Sequence, residues 1–325
     1  MNKLLSLTAA GALLSTSALY GQIEINDNLS ITGFLDMSLY HADDNGEDST
    51  SFDLDQMEID FIYSFDQVTG QVDIDYQRGE TNELDLEQAF ITYDLGEGTS
   101  LTAGKFLSYH GWETAEPTGL YQYSYAYGTT IPGYHNGVSL DYDGGDWGGM
   151  GIAILDSVYD DDGSLSDSDD YDMGLETKLI LTPADGWTVY LGYGLDAANA
   201  GLEDRELINF WASYEFGATT LAFEYNDYSD TYRDINQWLV MYSVAVSDAG
   251  TFTARISDDQ RDYTSLEASS MVGSGQWEDE DFKYTAAYIH AFTDNLAVVT
   301  EVSLTDRGEW RGDLTEFAVE ALFTF

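Results

Sequence analysis

The sequence predicts an all-β chain, a transmembrane antiparallel β-barrel of about sixteen strands, and three observations carry that expectation. Apolar and polar residues alternate with period two through almost the whole chain, short turns alternate with longer acidic loops, and aromatic residues gather at apolar positions beside the short turns. Successive side chains on a strand point to opposite faces, so this alternation gives each segment one apolar and one polar face. No stretch of about ten residues reads as a helix apart from the extreme N-terminus.

Residues 1–21 read as an export leader. Lys3 precedes the largely apolar run Leu4–Leu14, and the small residues Ser15, Thr16, Ser17 and Ala18 follow, in the order of a secretory signal peptide. Cleavage fits after Gly21 or after Ala18, with Gly21 preferred, which leaves 22–325 as a single barrel domain. Within it Met57, Ile59, Phe61, Tyr63 and Phe65 alternate with mostly polar neighbours, as do Val72, Ile74 and Tyr76, and the pattern persists to Phe317, Val319, Ala321, Phe323 and Phe325. The expected strands are 28–40, 52–65, 70–78, 84–95, 100–107, 136–143, 148–157, 170–182, 187–196, 205–216, 219–228, 235–246, 251–258, 281–292, 296–304 and 313–325. Seven tight connections, from Asp66–Thr69 to Thr293–Asn295, define one edge. Long acidic loops such as His41–Ser51, Ser108–Asn136, Val158–Asp170 and Asp259–Asp281 are expected on the other. Tyr263–Val272 reads as loop or as an extension of its neighbours. An even strand number returns both ends of the barrel to the short-turn edge, the layout of an outer-membrane barrel in a Gram-negative cell.

The polar face decides which side is wet. It carries many ionisable groups, which could not fill the dry interior of a soluble sandwich without partners. Turning it to a watery lumen and the apolar face to outer-membrane lipid satisfies both faces. Tyr63, Phe65, Tyr93, Tyr142, Trp187, Tyr214 and Phe216 then form an interfacial girdle. The terminal Phe325 closes the last apolar position. Composition narrows the function further. Asp plus Glu number 60 against 11 Lys plus Arg, for a formal net charge of −49, so nucleic acid is not an expected partner. The absence of cysteine removes disulfide, thiolate-zinc and iron–sulfur chemistry.

Residues 104–138 break the simple alternation. Gly104-Lys105-Phe106 is followed by Gly111-Trp112-Glu113, by Ser124-Tyr125, and by His135-Asn136-Gly137-Val138. This segment resembles the OmpL-like β-barrel porins, which pair a Gly-Lys-Phe strand end with a Gly-x-Glu loop, a Ser-Tyr segment and a His-x-Gly-Val return strand. Asn136 stands where that family usually carries Thr. The resemblance implies an outer-membrane pore and no defined substrate.

Independently of the resemblance, a connection this long is too large for a simple hairpin, and a sixteen-stranded barrel encloses an aqueous lumen. A loop near 108–135 is therefore expected to fold inward and narrow the pore. Its Tyr109, Trp112, Tyr121, Tyr123, Tyr125, Tyr127 and Tyr134 read either as packing against the wall or as a slide for sugar rings. Parity assigns Asp36, Glu58, Asp60, Asp73, Asp75, Asp94, Asp141, Glu176, Glu215, Glu224, Glu301, Glu316 and Glu320 to the lumen, against Lys105, Lys178, Arg255 and Lys283. Carboxylates lining a pore favour cations. The constriction candidates are Lys105, Trp112, Glu113, Glu116, Tyr121, Tyr125, Asp141 and Arg255.

The expected function is that of a passive porin for small hydrophilic solutes, preferring cations. The alternatives are a substrate-specific channel, for example for oligosaccharides, and a plugged structural or adhesive barrel. No enzyme is expected, since His41, His110, His135 and His290 stand in no recognisable Ser–His or Asp–His arrangement, and no cofactor is implied. His110, His135 and Glu113 could converge as a weak metal site, which the spacing alone does not support; no metal residue is assigned. Asp160-Asp161-Asp162-Gly163-Ser164 reads as a solvated acidic loop, because aligning Gly163 with the fixed glycine of an EF-hand puts Val158 at the first ligand position. Lipid-facing and subunit-facing positions would both be apolar, so the pattern admits a homotrimer.

Overall fold

The computed structural model describes residues 22–79, 83–113, 115–128, 130–159, 171–198, 201–264 and 278–325. The leader at 1–21, Asp160–Ser164 and most of Tyr263–Val272 lie outside the described residues. In chain order the strands are β1 (Ile23–Asn26), β2 (Leu29–Asp44), β3 (Glu47–Phe65), β4 (Val68–Gln77), β5 (Leu84–Gly96), β6 (Thr99–Leu107), β7 (Tyr134–Asp143), β8 (Gly148–Leu155) and β9 (Tyr171–Leu181). They continue with β10 (Trp187–Ala198), β11 (Arg205–Phe216), β12 (Thr219–Ser229), β13 (Arg233–Ser247), β14 (Gly250–Tyr263), β15 (Glu278–Thr293), β16 (Leu296–Asp306) and β17 (Asp313–Thr324). Every strand from β2 onward pairs antiparallel with the next, and β17 returns to β2, closing a sixteen-stranded barrel. All sixteen expected strands are present.

Two differences from the sequence expectation share one cause. His41–Ser51 is strand rather than long loop: β2 and β3 run on to a tight turn at Asn45–Gly46, with Asp43 opposite Asp48 and Tyr40 opposite Ser51. Likewise β14 reaches Tyr263 and β15 begins at Glu278. Beyond the lipid a hairpin needs no apolar face, so these ends are polar on both sides and leave no alternation to read. The four-residue β1 was not expected either. It pairs with β2, Ile23 lying opposite Ile31.

The barrel is apolar outside and polar inside. Leu101, Ile152, Leu191, Ile208, Val240 and Val302 are exposed on its outer wall, whereas Ser139, Asn209, Asn226, Gln237, Thr253 and Ser303 are buried within. At the tight-turn edge Trp187 stacks on Tyr214 at 4.7 Å between ring centres, and Tyr214 on Phe216 at 5.1 Å. Amphipathic rings so placed suit a membrane interface.

Candidate functional site

The chain leaves β6 at Leu107, enters the barrel and returns through β7. Ser108 N donates to Gly133 O at 2.9 Å, pinching the neck of the loop. An irregular segment withdrawn from water has to place its backbone N–H groups, and here wall carboxylates receive several. Glu176 on β9 accepts from Ser108 Oγ at 2.6 Å and Tyr109 N at 3.1 Å. Glu224 on β12 accepts from Trp112 N at 2.7 Å and from the Tyr127 hydroxyl at 2.5 Å. Glu301 on β16 accepts from Tyr123 N at 2.8 Å and Ser124 N at 3.1 Å. Three of the acids assigned to the lumen by parity thus anchor the loop.

One cation joins the same frame. Arg255 on β14 pairs with Glu113 and donates to Ser124 O at 2.8 Å and to Thr285 Oγ1 at 3.2 Å. Glu113 also accepts from Ala126 N at 2.7 Å and Gln122 Nε2 at 2.6 Å. Asp141 on β7 pairs with Lys178 Nζ at 2.8 Å and accepts from the Tyr109 hydroxyl at 3.0 Å, and the Lys178 ammonium lies 3.9 Å from the centre of the Tyr109 ring. Trp112 stacks on Tyr121 at 6.1 Å and meets Trp211 edge-on at 5.3 Å, which leaves it 6% exposed. Its face is covered by neighbours and is not available to a sugar ring. Tyr125, 44% exposed, stays open, its hydroxyl donating to Ala115 O at 2.6 Å.

Lys105 stands apart from the other candidates. It alternates with the inward Phe106 and shares the parity of the exposed Leu101, and its Nζ reaches Leu86 O at 3.2 Å. The glycine before it carries the local geometry: Gly104 has φ +136°, and a Cβ there would collide with Ala89 O. That close approach gives the glycine of the Gly-Lys-Phe strand end a physical reason.

His110 and His135 converge on Glu176, with Nε2 atoms 3.6 and 3.7 Å from its oxygens, whereas Glu113 belongs to Arg255. A side chain at Gly192 would collide with the His110 ring, so the bare backbone of β10 is what lets the loop seat there. Burial, with His135 beside it, pulls the His110 imidazole down to about 3, and it accordingly sits neutral against the Tyr190 hydroxyl at 3.2 Å.

On the opposite wall the loop meets a different environment. Glu116 accepts from the Tyr134 hydroxyl at 3.0 Å, and its carboxylate lies with those of Glu58 on β3 and Glu87 on β5, each offering an oxygen within 4.8 Å of the others. Burial, augmented by neighbouring acids, pushes the Glu116 carboxyl upward. Glu58, Asp60 and Asp73 form an adjoining group of the same kind. Glu87 escaped the sequence reading because period two puts it on the outer face. The register shifts there, Gln88 lying opposite Asp73 and Leu86 opposite Ile74, and such a bulge re-aims a side chain. A carboxylate at an apparently lipid-facing position was the available signal. Asp94 and Glu215 are exposed near the tight-turn rim.

Among curated protein sequences none matches this chain. Solved structures do. An OmpF of Salmonella typhi, solved as a complex with daunomycin, aligns at 14% identity over 94% of this chain and 100% of its own, with a TM-score of 0.71. The outer membrane channel DcaP of Acinetobacter baumannii aligns at 11% identity over 94% and 100%, with a TM-score of 0.68. An anion-selective porin from Comamonas acidovorans aligns at 12% identity over 91% and 99%, with a TM-score of 0.64. These likenesses share the barrel fold. The family model described as "Putative beta-barrel porin-2, OmpL-like" matches residues 28–313, nearly the whole barrel, and the chain therefore belongs to this family of outer-membrane β-barrel porins.

Proposed function

We propose that the protein is exported through a cleaved leader and gives passive passage to small hydrophilic solutes across the outer membrane, with a preference for cations. The carrying observation is one-sided charge. Strands β16, β17 and β2 to β5 contain no lysine or arginine, and their inner face presents Asp36, Glu58, Asp60, Asp73, Asp75, Glu301, Glu316 and Glu320. The basic residues Lys178, Arg255 and Lys283 lie on β9, β14 and β15, where they pair with Asp141, Glu113 and Glu316. Of these wall carboxylates Glu316 alone has a lysine or arginine partner among the described residues, and the surplus of negative charge lowers the electrostatic energy of a cation between the loop and the wall. A channel rather than an enzyme is the reading consistent with the family, and no catalytic residue is assigned. The covered face of Trp112 weighs against an oligosaccharide slide.

Single-channel recording in a planar bilayer under a potassium chloride gradient tests this. The expected outcome is steady openings whose reversal potential lies toward the potassium equilibrium. A reversal toward chloride would keep the pore and refute the cation preference. Silence from correctly folded protein would favour the plugged barrel.

A further inference from the structure

The inward loop is held in two contrasting ways. Toward β9, β12 and β16 its backbone N–H groups meet carboxylates, so charge and donor are matched. Toward β3 and β5 the loop brings a carboxylate of its own, Glu116, against those of Glu58 and Glu87. Like charges at that separation repel, so three carboxylates gathered in a site withdrawn from water either take up protons or gather positive charge between them. No lysine or arginine lies on β3, β4 or β5, and the Lys105 ammonium of β6 is turned to Leu86 O on the outer parity. The Glu58 side chain makes the need explicit. It is 3% exposed, and its Oε2 has no hydrogen-bond partner among the described residues. Asp73, fully buried in the adjoining group, has the same deficit at Oδ1.

We propose that Glu58, Glu87 and Glu116 hold a hard divalent cation of the calcium class, which ties the inward loop to the β3–β5 wall. Oxygen-only donors select hard cations over softer transition metals. Three carboxylates, each mono- or bidentate and carried on separate segments, suit the large and adaptable coordination of calcium better than the strict octahedron of magnesium. Glu58 belongs to both acidic groups, which places the ion at their junction. The bulge in β5 that turns Glu87 inward belongs to the same construction. This inference rests on the geometry of the loop and holds whether or not the barrel conducts.

The test uses the folded full-length barrel in detergent, stripped with EDTA and titrated calorimetrically with calcium chloride in potassium chloride buffer at near-neutral pH. Saturable uptake is expected, together with a calcium-dependent rise in the temperature at which the heat-modifiable band unfolds. Glu58→Gln and Glu87→Gln should weaken that uptake by about tenfold or more. Asp248→Asn, an exposed acid in the β13–β14 turn, should leave it unchanged. Absence of saturable uptake by the unsubstituted protein overturns the proposal, as does uptake that responds to Asp248→Asn as strongly as to Glu87→Gln; the latter would indicate a diffuse counter-ion atmosphere. Because the unsubstituted protein alone gives the first answer, a variant that fails to fold does not remove the test.

Discussion

Arg255 is 2% exposed and holds two loop groups at once, the Glu113 carboxylate and the Ser124 carbonyl. Removing one member of such a pair leaves the other charged and enclosed, at a cost of about 3 kcal/mol or more, whereas replacing both removes the imbalance. Arg255→Ala is therefore expected to lower stability in denaturant by that amount and to give larger, noisier channel currents as the loop loosens. Arg255→Met combined with Glu113→Gln should recover part of both, a coupling that a double-mutant cycle would measure at about 0.5–3 kcal/mol. Strict additivity would mean that the two side chains do not support one another. The same scale explains why the lumen cannot be judged by counting acids. Glu176, Glu224 and Glu301 accept hydrogen bonds from the loop, whereas Glu58 meets other carboxylates.

Each strand answers to two solvents along its length, and this governs which parts of it could be read in advance. Where β13 crosses the lipid, Trp238, Val240, Tyr242 and Val244 alternate with buried partners such as Leu239 and Met241, and the outer set is apolar by necessity. Val240→Arg puts a charge in the apolar band, and folding into lipid vesicles followed by denaturant titration should show a loss of about 2–4 kcal/mol; a loss below about 1 kcal/mol would place Val240 at an interface instead. The lipid-crossing parts of all sixteen strands were legible for this reason. The extensions of β2, β3, β14 and β15 were not, because water satisfies a polar hairpin on both faces. Within the site, length and aromatic content set residues 108–133 apart from an ordinary hairpin connection in the sequence. The docking partners of this loop were not legible, since Ser108 meets Glu176 and Tyr123 meets Glu301 across long sequence separations that no local pattern encodes. Glu87 marks a further limit of period-two reading, because a bulge brings it into the lumen, whereas Lys105 keeps the outer parity of Leu101.

At the scale of the whole molecule, closure depends on β2. Strand β17 runs along one of its edges, pairing Leu314 with Asp44 at one end and Thr324 with Phe34 at the other, and Phe325 and Gly33 exchange both backbone hydrogen bonds. Strand β1 lies antiparallel to β2 one step further on, from Ile23 opposite Ile31 to Asn26 opposite Leu29. Phe325 and Gln22 thus meet end to end in what is geometrically one interrupted strand. With the proposed leader removed after Gly21, the barrel would be topologically a ring nicked there, and the nick could sit elsewhere. A chain in which Phe325 is joined to Gln22 by a few glycines, with new termini opened between Asn45 and Gly46, should fold to the same barrel with the same current–voltage curve. Failure of this circular permutant to fold would show that the order in which the strands are delivered, and not only their final neighbours, is part of the information the polypeptide carries.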